Sequence, residues 1–255
     1  MRIVRYEKDG QAHYGIWEDD RIRQMSGSPF GDWQPGPQGH RVSEVRLLAP
    51  VVPTKILCVG LNFRDHIAEV GLPTPTAPAH FLKPLTAAGG PEDPIVIPRV
   101  AQQVDYEGEL AVIIKDRIRD VPLEAVEGHI LGYTCFNDVT ERPLSVAHGQ
   151  LTRSKGFDTF APFGPCIATG LDPSRLLLRT FLNGTLMQEA KLSEMIFSVP
   201  YLVHYLSQCM TLLPGDLISA GTPRGVAPMK PGDVVEVAID GIGVLRNPVR
   251  AAGGL

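Results

Sequence analysis

Glu107 and Glu109 stand two apart at the head of an apolar run, Leu110-Ala111-Val112-Ile113-Ile114. Read as a strand that starts near Val104, this stretch points both carboxylates to one face, because side chains alternate along a strand. Two carboxylates side by side repel each other unless positive charge sits between them. A second apolar run, Ile130 to Phe136, ends in Asn137-Asp138 and offers a third oxygen ligand at a strand end. An all-oxygen, carboxylate-rich set suits a hard divalent cation: Mg²⁺ or Mn²⁺, with Ca²⁺ able to substitute. Glu-x-Glu alone also describes a solvated strand face. Here Ala111 and Ile113 follow on the same face, so the acidic pair lies at the lip of a buried region.

His66 and Glu69 are three residues apart after a buried-looking strand, Lys55 to Gly60. On a helical turn they share a face. A carboxylate beside an imidazole fixes its tautomer and raises its basicity, so the pair suits proton removal from water near neutral pH. Lys83, Arg142 and Lys155 are cations within reach of these segments in sequence, and such groups offset a substrate carboxylate or a developing oxyanion. The turn Gly221-Thr222-Pro223-Arg224-Gly225-Val226 presents backbone N–H groups suited to an anion.

These pieces need strands to carry them. The 255-residue chain is 44% hydrophobic and 20% charged, enough for a substantial core. Its 26 glycines and 23 prolines, set among short β-rich runs, predict strands joined by tight turns. Ile3–Tyr6 and His13–Trp17 read as a hairpin about Asp9-Gly10, and Ser26 to Gly39 as a loop. Leu176 to Glu189 reads as a hairpin about Asn183-Gly184. Val199 to Met210 is the strongest helix, with Leu202, Tyr205, Leu206 and Cys209 at helical spacing. The prediction is a mostly β chain with little helix, divided into a small β-rich N-terminal domain, residues 1–50, and a main domain, residues 51–255.

A net charge of −4 gives no reason to expect a nucleic-acid partner. No apolar run is long enough to span a bilayer, and the N-terminus lacks the apolar core of a signal peptide, so a cytoplasmic protein is expected. Cys58, Cys135, Cys166 and Cys209 are widely spaced and expected to be free thiols.

Taken in order, the chain resembles the fumarylacetoacetate hydrolase family. The resemblance lies in Gly60-Leu61-Asn62-Phe63 through His66 and Glu69, Phe81-Leu82-Lys83-Pro84, Asp105-Tyr106-Glu107-Gly108-Glu109-Leu110, Asn137-Asp138-Val139-Thr140, Lys155-Gly156-Phe157-Asp158 and Gly221 to Val226. It implies a mixed β-roll or β-sandwich of the family's C-terminal domain type, flanked by a few helices. It implies Mg²⁺ or Mn²⁺ held by Glu107, Glu109 and Asp138, and a His66–Glu69 dyad on a mobile lid. Lys155 matches the family's active-site lysine, while Lys83, Arg142 and Thr222 match positions that line the site. Members are commonly homodimers acting on small 2-oxo acids.

The short N-terminal segment aligns the chain with the small acylpyruvase-type and 2-hydroxyhepta-2,4-diene-1,7-dioate isomerase-like members. Ser145 stands where some acylpyruvate-cleaving members carry glutamine, and the Asp138–Lys155 stretch, read as a loop, is shorter than theirs. The expected reaction is C–C hydrolysis of an acylpyruvate-type substrate through an enolate. Isomerisation, decarboxylation or tautomerisation, including that of oxaloacetate, would draw on the same intermediate. A non-catalytic Ca²⁺-stabilised β-module is the reading from another class, and it has no need of His66, Glu69 or Lys155.

Overall fold

The computed structural model describes residues 1–148 and 151–253. Strands dominate, as the turn-rich composition predicts. The N-terminal meander runs Arg2–Lys8, Gln11–Glu18, Arg21–Gly27 and Trp33–Arg41. Its first strand pairs antiparallel with Ala161–Ala168, so the sheet continues across residue 50. Beyond Ala161–Ala168 come Ile130–Asn137, Gly108–Ile114, Leu217–Ser219, Ile56–Gly60 and the edge strand Ala79–Lys83. A five-stranded sheet contains the Leu177–Leu182/Thr185–Lys191 hairpin, Val234–Ile239, Gly243–Ala251 and Ile95–Ile97. A three-stranded sheet joins Thr140–Glu141, Val104–Tyr106 and Ala227–Met229.

The strand Gly108–Ile114 is buried along its whole length. Leu110, Val112 and Ile114 enter the core that also holds Leu178, Val237 and the helix residues Leu202, Val203 and Leu206. Ala111 and Ile113 enter the core on the opposite face, with Cys58, Phe136 and Phe163. Apolar side chains on both faces explain why this segment reads as a continuous apolar run rather than an alternating one.

Three sequence expectations need correction. Residues 104–114 are not one strand: the chain breaks at Glu107, and Val104–Tyr106 belongs to a different sheet from Gly108–Ile114. Side chains replace the ladder at the break, with Glu107 N donating to Asn137 Oδ1 and Gly108 N to Gln188 Oε1. The Ser26–Gly39 loop contains most of the strand Trp33–Arg41, which pairs with Arg21–Gly27 at the sheet's edge. An edge strand tolerates prolines because one side of its backbone has no partner to satisfy. Glycine also allows close approach there, since a Cβ on Gly39 would meet Ile22 O at 2.8 Å. Finally, the segment between Asp138 and Lys155 carries the helices Arg142–His148 and Leu151–Lys155.

The helix Val199–Cys209 matches its predicted span. Leu202 and Leu206 are buried, but Tyr205 is half-buried and Cys209 is exposed. Cys58, Cys135 and Cys166 are buried free thiols. No helix among the described residues is long and apolar enough to cross a membrane.

Candidate metal centre and active site

Glu109 is the second residue of Gly108–Ile114 and lies opposite Phe136 of Ile130–Asn137. Gly108 faces Asn137, so Asp138 falls beside Glu107, and its N–H donates to Glu107 O at 2.9 Å. The strand register therefore assembles the acidic group. Glu107, Glu109 and Asp138 are all buried, and each offers an oxygen within 4.8 Å of the others. Gly108 between the glutamates has no room for a side chain; a Cβ there would stand 2.0 Å from Thr180 Oγ1.

Cations surround this triad unevenly. Lys155, at the end of Leu151–Lys155, places Nζ 2.6 Å from Glu107 Oε2 and 2.6 Å from Asp138 Oδ2. Arg142 donates from Nε to Asp105 Oδ2 at 2.7 Å and from a terminal nitrogen to Glu107 Oε1 at 2.5 Å. Lys83 donates to Asp138 Oδ1 at 2.5 Å and to the carbonyls of Val139 and Phe160. Among the described residues no cation bonds to Glu109; it accepts from Ser219 Oγ and from Gly221 N.

This asymmetry splits two neighbouring acids. Burial pushes Glu107 upward, but the charges of Lys155 and Arg142 outweigh it and hold that carboxyl well below the usual range. Burial, with Asp138 and Glu107 nearby, drives Glu109 well above it. Burial opposes the charge on Lys155, yet Asp138 and Glu107 raise its pKa above the ordinary lysine value.

The second group sits on the helix Arg64–Val70. His66 Nδ1 lies 3.0 Å from Glu69 Oε2. Glu69 Oε1 accepts from Gly225 N at 2.9 Å, so the same carboxylate ties this helix to the 221–226 turn. That turn does bind anions through its backbone: they are the protein's own Glu69 and Glu109.

A cavity of about 400 Å³ joins the groups and is lined by His66, Glu107, Glu109, Arg142, Lys155 and Thr222, among others. Asp138 lies behind the lining, bonded to Lys155. Lys83 is also set back, with its side chain fully enclosed. Thr222 reaches the cavity while its Oγ1 donates to Gly108 O and accepts from Gln188 Nε2. Asp105, Asn137, Gln188 and Ser219 were not singled out for a role by sequence reasoning. For Asp105 a signal existed: it begins the alternating series 105, 107, 109. The other three act through contacts distant in sequence.

The comparisons with known proteins agree with this architecture. A family model described as fumarylacetoacetate (FAA) hydrolase C-terminal matches residues 55–250, and one described as Rv2993c-like, N-terminal, matches residues 1–50. The chain belongs to the fumarylacetoacetate hydrolase family, and it is an enzyme of that family.

Oxaloacetate tautomerase fahd2, mitochondrial, of Xenopus laevis is 39% identical over 81% of this chain and 69% of its own. The crystal structure of 5-carboxymethyl-2-hydroxymuconate delta-isomerase from Mycobacterium smegmatis is 41% identical, with a TM-score of 0.93 over 99% of this chain and 100% of that one. Maleylpyruvate hydrolase from Sphingobium sp. SYK-6, solved with manganese (II) ion and pyruvate, is 28% identical. Its TM-score is 0.84 over 99% of this chain and 100% of that one.

Proposed function

We propose that the protein is a divalent-metal-dependent enzyme that hydrolyses a C–C bond in an acylpyruvate-type 2-oxo acid. The observation that carries this reading is the meeting of the acidic triad and the His66–Glu69 pair at one cavity. Glu107, Glu109 and Asp138 would hold Mg²⁺ or Mn²⁺. The donor set fits: three clustered oxygens, two of which already share the Lys155 ammonium. When bound, such an ion supplies Lewis acidity to the substrate's 2-oxo end.

The chain's own residues do the rest. Glu69 accepts the Nδ1 proton of His66, which leaves the other ring nitrogen free to take a proton from water. That water adds to the distal acyl carbonyl. The bond between this carbon and the adjacent methylene breaks, and a proton returns to the methylene to give a carboxylic acid and pyruvate. Lys155 offsets negative charge as it builds, and Arg142 fixes the Glu107 carboxylate. Lys83, enclosed behind Asp138, holds that ligand rather than the substrate.

A second reading is supported by the tautomerase and isomerase relatives. Proton transfer at the same ring, without water addition, would move a double bond and release nothing. The products distinguish the two. Incubation with Mg²⁺ and acetylpyruvate, followed by ultraviolet loss of the enol and assay of free pyruvate, should show stoichiometric pyruvate. Absence of turnover with every 2-oxo acid in a panel including oxaloacetate and dienedioates would end the proposal.

Residues 1–50 and 51–255 are read as two domains of a cytoplasmic homodimer. The boundary between the two family models supports the division, the bacterial and archaeal relatives support the location, and sedimentation tests the assembly.

A further inference from the structure

We infer that the cavity selects a 2-oxo acid whose far end is uncharged and apolar, and discriminates against one that ends in a second carboxylate. The inference rests on the proposed reaction and deepens it.

Charge accounting carries the first half. The charges around the acidic triad form one bonded network: Asp105 to Arg142, Arg142 to Glu107, Glu107 to Lys155, Lys155 to Asp138, and Asp138 to Lys83, with Glu109 beside them. Four carboxylates face three cations, a formal balance of −1. A divalent ion turns that to +1, which one substrate carboxylate cancels. Among the described lining residues a second carboxylate finds no unpaired fixed cation. Glu69, behind the lining residue His66, adds a further carboxylate. Among the described lining residues the only fixed cations are Arg142 and Lys155, and both are already paired with carboxylates.

The apolar part of the lining carries the second half. It is built by Val70, Leu72, Ala79, Phe81 and Leu151. Val70 and Leu72 end and follow the helix that bears His66, and they are 37% and 51% exposed. Large aliphatic side chains open to water at a cavity mouth gain by covering themselves with an apolar ligand. A carboxylate placed against them would shed water with nothing in return.

The test uses two substrates of equal length with Mg²⁺: 2,4-dioxoheptanoate, which ends in a propyl group, and 2,4-dioxoheptanedioate, which ends in a carboxylate. The kcat/KM ratio should favour the propyl compound by about a hundredfold, the scale expected for an uncompensated desolvated charge. Leu72→Arg, on an exposed position that does not threaten folding, should cut that ratio at least tenfold by rescuing the dioate. Equal or faster turnover of the dioate by the wild-type enzyme, or a ratio unmoved by Leu72→Arg, overturns the specificity while the hydrolytic reading stands. Turnover of neither compound overturns both.

Discussion

Lys155 Nζ lies 2.6 Å from one oxygen of Glu107 and 2.6 Å from one oxygen of Asp138, so a single ammonium is shared by two of the three clustered carboxylates. Glu109, the third, receives a hydroxyl and a backbone N–H and, among the described residues, no cation. The site thus has a cation-rich side and a cation-poor side, and most of its testable behaviour follows from that difference.

Lys155 would compete with the proposed metal for the same two carboxylates. Lys155→Met should therefore bind Mg²⁺ more tightly, by about tenfold or more, since each ~1.4 kcal/mol of relieved competition is a factor of ten. Turnover should fall in the same variant. Isothermal titration beside a rate assay checks both, and weaker metal binding would contradict the competition.

Glu107 and Glu109 should respond to neutralisation with opposite signs in metal-free protein. Glu107→Gln removes the counter-charge of Lys155 and Arg142 and should cost ~3–5 kcal/mol, the usual penalty for breaking a buried pair. Glu109→Gln should stabilise. The Glu109 pKa is raised in the fold, so between its unfolded value near ~4.3 and its folded value the native state holds more protons than the unfolded one. Stability from this group therefore falls as pH rises, and the advantage of Glu109→Gln should widen from pH 4 to pH 8. Denaturant titrations with a chelator present measure this, and both variants should lack the Mg²⁺-dependent rise in Tm expected of the wild-type protein.

His66→Ala should lower kcat for hydrolysis by ~10²–10⁴ while leaving Mg²⁺ affinity close to wild type. Glu69→Ala should lower kcat too, and should also free the Gly225 N–H and loosen the helix Arg64–Val70. Faster hydrogen exchange in residues 64–70 of Glu69→Ala, but not of His66→Ala, separates the two roles.

Lys83→Met should behave as a folding defect. Its ammonium has three acceptors and no exposed side-chain surface. A loss of ~3–5 kcal/mol is expected, with little change in substrate KM for the fraction that folds.

Much of the site was legible because its chemistry is local in sequence. His66 and Glu69 meet across one helical turn as their spacing predicts, and Glu107 and Glu109 do cluster, although a break in the strand rather than unbroken alternation brings them together. The break at Glu107 was not legible. It depends on Asn137 and Gln188, whose side chains supply hydrogen bonds that a neighbouring strand would normally provide, and nothing near residue 107 announces them. Lys83 posed the same difficulty. Phe81-Leu82-Lys83-Pro84 shows a cation after an apolar pair, but whether that cation faces substrate or the back of Asp138 is decided by Asp138 and Phe160, 55 and 77 residues away. The edge strand Trp33–Arg41 was hidden by its own prolines and glycines, which signal a turn in isolation and an unpaired border in context.

The pairing of Gly108 with Asn137 has a consequence for how the chain matures. Sliding one of these strands by a single residue would turn Glu109 toward the opposite core and pull Asp138 away from Glu107. A mis-zipped chain would have no grip on a divalent ion. An ion held at the proposed centre would thus act as a late inspector of alignment, rewarding molecules that have closed in the native frame.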